Sequence, residues 1–298
     1  MNVEHLRLFV RIATSQNISQ AGHELDLSPA VASAHINKLE QALGVRLIHR
    51  TTRKVSLTED GIAFLPHAED VLASVDSARA SVGAGTVSPG GTLRVAAPAS
   101  FGRMHLLPAM GEWLALYPDL NVDLKLSDTI VDLVEGGFDV AIRNSELKDS
   151  TMNARKLAAD KRILCASPAY IEQYGEPRHP DELQKHQCIT LMGLETWKFR
   201  GEKNDITIKA KGRFRTDNGE AVRDACVNGL GLTINSTWSV YEHLKRGELQ
   251  PLMQDYPLQS QTAIWAVYPS SRLLAPKVRV FIDFLVERFS GTPYWDHQ

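Results

Sequence analysis

Cysteine is scarce: Cys165, Cys188 and Cys226 are the only three in 298 residues, an odd number with no C-x-x-C pair. That usage fits free thiols in a reducing cytoplasm, where the protein is expected, and excludes a disulfide scaffold and a structural zinc. Apolar runs fall well short of the ~18 residues that span a bilayer, so no membrane partner is expected. Glu4, His5, Arg7 and Arg11 interrupt the N-terminal apolar pattern, which argues against a signal peptide. No charge dominates either. The 33 Lys and Arg against 35 Asp and Glu leave a formal net charge of −2. The whole chain is therefore no general polyanion binder, and any nucleic-acid surface must be local. G-x-S-x-G, H-E-x-x-H, P-loop and G-x-G-x-x-G signatures are all missing, and Ser, His and Asp form no recognisable constellation. No catalytic residue, metal or cofactor is expected. There is also no fixed-period repeat and no low-complexity tail.

What remains is an ordinary globular composition, 43% hydrophobic and 23% charged. The length suits about two domains of ~100–200 residues each. The first sixty residues have helical periodicity. Leu6, Phe9, Val10 and Ala13 share a stripe. Ser19 is expected to cap a short helix over 20–25, and Asp26-Leu27 forms a tight connection. Ser28-Pro29 then supplies an N-cap and a first-turn proline for a helix ending near Leu43, where Gly44 stops it. Two helices across such a turn match a helix-turn-helix. In the later helix Ala32, Ile36, Leu39 and Leu43 form the inward stripe. Ala30, Ser33, Ala34, Asn37, Lys38 and Gln41 form a slim, polar outer face of the kind that enters a major groove.

The segment 46–58 alternates as strand, polar turn and strand. From Arg46 to Lys54 it holds four cations, one histidine and no acid. Arginines and threonines there, Arg50, Thr52 and Arg53 among them, suit phosphate contacts, which position a protein without reading sequence. Thr58 is expected to cap a long helix to about Ser81, with Pro66 kinking it or displacing its start. Phe64, Ala68, Val71, Val75, Ala78 and Val82 make a narrow seam, either for pairing with a second helix or for packing on its own domain. Gly83 to Gly91 reads as a linker.

Beyond the linker, strands alternate with helices. Strands are expected at 93–97, 121–126, 139–143, 162–166, 232–234 and 263–268. Helices are expected at 104–117, 130–135, 220–228 and 276–288. The alternation argues for parallel sheets with helices on both faces, in two α/β lobes around a cleft. Ligands in such folds sit outside the carboxyl ends of strands, and helix starts favour anions. Ser100 and Phe101 follow the first strand, and Thr129 follows the second. Each is an effector contact or a helix cap. Arg143 ends a strand and pairs either with an anionic ligand or with an acid of the sheet. Thr216, Asp217 and Asn218 precede a helix, as cleft residues or as its cap. His105 reads as a satisfied polar side chain, and Cys165 and Cys226 read as core.

Taken in order, Leu6-Arg7-Leu8-Phe9-Val10, Ile18-Ser19-Gln20-Ala21-Gly22, Leu27-Ser28-Pro29-Ala30-Val31-Ala32-Ser33, Arg50-Thr51-Thr52-Arg53 and Leu57-Thr58-Glu59-Asp60-Gly61 resemble the LysR-type transcriptional regulators. Further along, Gly91-Thr92-Leu93-Arg94-Val95, Asp139-Val140-Ala141-Ile142-Arg143, Gly229-Leu230-Gly231 and Gly247-Glu248-Leu249 are similar to the CrgA-like branch of that family. The resemblance covers nearly the whole chain. It implies a winged helix-turn-helix over 1–60, a dimerising linker helix and hinge over 61–90, and a two-lobed, periplasmic-binding-protein-like effector domain over 91–298. Lobe I would take about 91–161 and 268–298, and lobe II about 162–267. It further implies a homodimer or, more often, a homotetramer on double-stranded promoter DNA. A small-molecule effector between the lobes would change that assembly's geometry. Serine and threonine at cleft helix starts point to an organic anion as effector. Family members often carry Gln-Pro after the serine and an arginine at the Ala34 position. This chain has Pro29 and Ala34, and an alanine there suits a thymine methyl. The expected DNA contacts are Ser28, Pro29, Ala30, Ser33, Ala34, Asn37, Lys38, Arg50, Thr52 and Arg53. The competing classes are an α/β enzyme, which the missing motifs disfavour, and an exported solute-binding protein, which would leave the first ninety residues without a role.

Overall fold

The structure is a computed structural model. It describes all residues except 51–54, 82–88, 130–131, 134–135, 147–151, 270–273 and 298, with backbone alone at 50, 73, 76–77 and 79–81. The chain divides into two compact units. One comprises Met1–Leu93, Tyr117–Asn121 and Ser271–Arg279, and the other Arg94–Leu116, Val122–Ser270 and Val280–Gln298.

In the first unit α1 (Val3–Ser15), α2 (Ile18–His23) and α3 (Pro29–Leu43) precede a hairpin of β1 (Ile48–Arg50) and β2 (Val55–Leu57), then α4 (Glu59–Ser81). Asn17, not Ser19, caps α2: its Oδ1 accepts the Gln20 N–H at 3.0 Å, which leaves Ser19 inside the helix. Leu27 N–H returns to Gly22 C=O at 2.8 Å, closing the turn into α3. A Cβ on Gly22 would lie 2.9 Å from Ala32 Cβ, so glycine is what lets α2 and α3 approach this closely. Leu6, Phe9, Ile12, Ala32, Ile36 and Leu39 form the core. Burial of their apolar surface, at ~25 cal/mol per Å², is the main source of this unit's stability.

Helix α4 begins at Glu59 and continues through Pro66, so the proline does not displace its start. Its seam divides. Ala68 and Leu72 are buried in the unit's own core, and Phe64 packs on Phe9 at 5.7 Å. Val71 and Ala78 are exposed, and Val82 lies outside the described residues. Own-domain packing therefore accounts for the first half of the seam. The linker at 83–88 also falls outside the described residues.

Past residue 90 the chain forms β3 (Gly91–Ala97) and α5 (Ala99–Phe101), which runs through a π-helical turn (Gly102–Leu106) into α6 (Leu107–Leu116). After them come β4 (Leu120–Leu126), β5 (Val140–Ser145), β6 (Met152–Ala159), β7 (Arg162–Ala166) and α7 (Pro168–Tyr174). The chain continues through β8 (Thr190–Leu191), β9 (Thr196–Phe199), β10 (Ile206–Lys209), β11 (Arg215–Thr216) and α8 (Gly219–Val227). It ends with β12 (Thr233–Ser236), α9 (Thr237–Lys245), β13 (Gln250–Leu252), β14 (Ala263–Pro269) and α10 (Pro276–Arg288). The helix expected at 104–117 therefore starts earlier, at Ala99. The one expected at 130–135 lies largely outside the described residues.

Two sheets form the lobes, ordered β4-β3-β5-β14-β6 and β12-β7-β13. They are not purely parallel. The β3–β5 pair is parallel, but β14 runs antiparallel to β5 and β6, and β12 and β13 run antiparallel to β7. The chain crosses between sheets twice, and each crossing reverses direction where an alternation rule presumes a helix crossover. For the same reason residues 263–267, expected in lobe II, belong to the five-stranded sheet of lobe I: β14 hydrogen-bonds between β5 and β6.

Candidate functional site

Ser28 Oγ accepts the Val31 N–H at 3.4 Å and starts α3, and Gly44 ends it at φ +74°, a left-handed conformation that costs glycine little. Ala32, Ile36 and Leu39 point into the core, so the opposite face must look outward. Ser28, Pro29, Ala30, Ala34, Asn37 and Lys38 are exposed, and Ser33 is half-buried. All seven α3-region residues expected to touch DNA therefore share one accessible side. Arg50 ends β1, in a hairpin whose register pairs Ile48 with Leu57 and Arg50 with Val55. Thr52 and Arg53 lie outside the described residues.

The hairpin is fixed to α3 by Glu40, whose carboxylate is 6% exposed. Its Oε1 accepts the backbone N–H groups of Leu47 at 2.9 Å and Ile48 at 3.1 Å, and Arg46 lies 3.6 Å from Oε2. Thr58 closes the other side. Its hydroxyl donates to Arg46 C=O at 2.6 Å and accepts the Gly61 N–H at 2.9 Å, capping α4. A side chain at Gly61 would run into the Leu47 carbonyl. The sequence reading passed over Glu40. The available signal was an acid on the inward stripe, four residues after Ile36 and three before Leu43, where an unpaired charge would be costly.

In the second unit the lobes enclose a cleft of about 380 Å³. Ser100, Thr129 and Arg143 line it, as expected. Phe101 does not. It is 1% exposed and packs on Trp238, His105, Phe289 and Trp295, because the residue after Ser100 faces the helix-packing side. Thr216 and Asn218 are not among the lining residues, whereas Asp217 and Gly219 are. Thr216 Oγ1 accepts the Asn218 N–H at 3.2 Å, and Asn218 Oδ1 caps α8 through Ala221 N–H at 2.8 Å. Asn218 Nδ2 also donates to Asp128 Oδ2 at 2.7 Å, and Asp128 Oδ1 accepts the Ala99 N–H at 3.0 Å. A carboxylate of the protein thus occupies the first amide of α5.

The cleft wall carries four cations, Lys125, Arg143, Arg162 and Lys198, against two acids, Asp128 and Asp217. Arg162, Asn144 and Asn235 were not foreseen. Asn235 extends a strand expected to stop at Ile234, and an amide inside an apolar strand was the signal available.

His105 is a satisfied core histidine. Its Nδ1 meets the Tyr294 hydroxyl at 2.5 Å, and its Nε2 meets Trp238 C=O at 3.1 Å. The carbonyl can only accept, so Nε2 carries the proton and Nδ1 accepts from the tyrosine. Burial lowers its pKa to about 4, against an opposing contribution from the Trp238 carbonyl. Cys165 and Cys226 are buried core residues, and a hydrogen bond with Cys226, together with burial, pushes the Cys165 thiol well above its ordinary value. Arg223, the one base near Cys226 in sequence, is engaged by Glu220 at 3.1 Å and Asp224 at 2.8 Å.

A winged helix-turn-helix and a two-lobed α/β domain around a cationic cleft, on one chain, define a ligand-responsive transcriptional regulator. Residues 3–62 match the family model described as a bacterial regulatory helix-turn-helix protein of the lysR family, and residues 87–290 match the LysR substrate binding domain. The chain belongs to the LysR family of transcriptional regulators. The HTH-type transcriptional regulator DmlR of Escherichia coli K12 is 34% identical over 289 residues, 96% of this chain and 94% of DmlR. The solved structure of CrgA from Neisseria meningitidis is similar at TM-score 0.64 and 31% identity, over 98% of this chain and 100% of that one. The Vibrio cholerae virulence activator AphB is similar at TM-score 0.60 and 28% identity, over 97% of this chain and all of that one. The chain is accordingly a DNA-binding transcriptional regulator with an effector-binding domain. Among the described residues no helix is long and apolar enough to cross a membrane.

Proposed function

We propose that this regulator binds double-stranded promoter DNA in the cytoplasm as a homodimer or homotetramer, and that a small organic anion in the interlobe cleft changes that binding. The carrying observation is the cleft's charge, four cations against two acids, on the same chain as the winged helix-turn-helix. The exposed Val71 and Ala78 of α4 support self-pairing along the second half of that helix. Asn37, with Ala30 and Ala34, reads base edges, while Lys38, Arg50, Thr52 and Arg53 hold phosphates. Ser100 and Thr129 contact the effector from lobe I, with Arg143 supplying charge. The cleft serves binding, and no catalytic step is assigned to it.

The test is a gel-shift titration against the protein's own upstream intergenic DNA and a scrambled control, at two salt concentrations. Preferential, salt-sensitive binding to the native fragment is expected, with small organic acids altering the shift. Ser100→Ala should keep DNA affinity and blunt that alteration. A normal response in Ser100→Ala removes Ser100 from the site. Absence of preference across a genomic library overturns the regulator reading.

A further inference from the structure

The start of α9 carries two idle hydroxyls. Ser236, at the N-cap position with extended backbone, makes no side-chain hydrogen bond to the first turn. Ser239 stands three residues on, the place that meets the N-cap in a capping box. Both serines are buried, 8% and 4% exposed, and both line the cleft. Among the described residues neither hydroxyl has a hydrogen-bond partner. Buried polar groups are almost always paired, and two unpaired ones on a single turn call for a reason. The backbone adds to them. Thr237 N–H is taken by Lys161 C=O at 2.8 Å, but the amides of Trp238 and Ser239 follow at a helix start, where no carbonyl of the helix reaches them.

The sheet places an arginine beside them. In the antiparallel β12–β7 register Ser236 lies directly opposite Arg162. Directly opposed residues send their side chains to the same face, with Cβ atoms about 5 Å apart. Arg162 lines the same cleft, and its side chain is 21% exposed. Its Nε donates to Asp160 Oδ2 at 3.1 Å, and among the described residues Asp160 is its one polar partner, so its two terminal amino groups stay free for a ligand. Two ties hold the arginine and the helix start in this relation. Thr237 donates to the carbonyl of Lys161, the residue before Arg162, from its N–H at 2.8 Å and its hydroxyl at 3.2 Å. Asp160, whose side chain is fully buried, also accepts from Thr262 Oγ1 at 2.7 Å. With the Asn144 amide oriented to its partners, Asn144 Nδ2 donates to Asp160 Oδ2 at 3.2 Å and its oxygen accepts the Trp238 indole N–H of α9 at 3.2 Å. A fixed guanidinium beside two unpaired hydroxyls, at the positive end of a nine-residue helix, is a cradle for anionic oxygens.

We propose that Arg162, Ser236 and Ser239 form the subsite that holds the anionic oxygens of the effector, a carboxylate or a phosphoryl group. This rests on the organic-anion reading above and names its lobe II grip. The full-length protein is melted with sodium acetate, benzoate, succinate and inorganic phosphate, against sodium chloride at matched ionic strength, and any anion that stabilises it is titrated calorimetrically. At least one should raise the melting temperature. A carboxylate that does so names a carboxylate as the bound group, and phosphate alone names a phosphoryl group. The double variant Ser236→Ala, Ser239→Ala, without ligand, should melt within about 2 °C of wild type, because these hydroxyls hold nothing in the fold. It should bind the same anion about ten-fold or more weakly, as should Arg162→Gln. The serine pair carries the affinity test if Arg162→Gln does not fold. A ligand-free double variant that melts well below wild type shows the hydroxyls serving the fold and overturns the proposal. Unchanged affinity in either folded variant also overturns it, while leaving the anion reading intact with another grip. A wild-type protein that answers to none of the anions overturns both.

Discussion

Glu40 and Asn235 are both polar side chains buried to more than nine-tenths, and the fold treats them in opposite ways. Glu40 receives two backbone amides and an arginine, so its charge is spent on joining the hairpin to α3. Asn235 keeps an unpaired donor beside a cleft. In the DNA-binding unit polar burial finishes the structure, so that the exposed face of α3 and the wing keep their spacing. In the effector unit the fold leaves the buried Asn235 donor without a partner.

The largest effect expected from breaking this contrast is at Glu40. Glu40→Leu orphans the Leu47 and Ile48 amides and should cost about 4 kcal/mol, read by urea denaturation, with DNA binding lost alongside. Next is acid sensitivity at His105. Its folded pKa of about 4 lies below the ordinary 6.5, so the unfolded chain binds the proton first. Stability is then fully present above pH ~6.5 and falls as pH drops toward 4, by on the order of 3 kcal/mol. His105→Gln should flatten that slope. A slope that persists in the variant would assign the acid loss to other groups. Smaller again is Lys38→Ala, which should weaken native and scrambled DNA alike by roughly ten-fold and lower the salt slope by about one. Loss confined to the native fragment would make Lys38 a base reader. The smallest is Asn218→Ala, which removes the α8 cap and the Asp128 clasp for about 1 kcal/mol, measured as a small drop in melting temperature.

These two sites were legible in the sequence to different degrees, for a physical reason. The outer face of α3 follows from periodicity over fifteen residues, so Ser28 through Lys38 could be placed on one side by spacing alone. The two-strand wing and the α4 cap at Thr58 followed in the same way, from local patterns. The cleft is assembled by topology. Ser100, Arg143, Arg162 and Asn235 come from four different elements, and no short window contains them. Ser100, Thr129 and Arg143 were reachable because strand ends and helix starts mark a cleft wherever they fall. Phe101 was misplaced because an adjacent position on a helix start faces the opposite way, into an aromatic cluster. Residues 263–267 were assigned to the wrong lobe because alternation says nothing of where an antiparallel return strand inserts. Thr52 and Arg53 lie beyond what the structure describes.

The most direct test of the contrast is the melting temperature of ligand-free Glu40→Leu and Asn235→Leu beside wild type, in one buffer. The account expects opposite signs: a fall for Glu40→Leu and a rise for Asn235→Leu. If both substitutions lower the melting temperature, Asn235 is as fully used by the fold as Glu40.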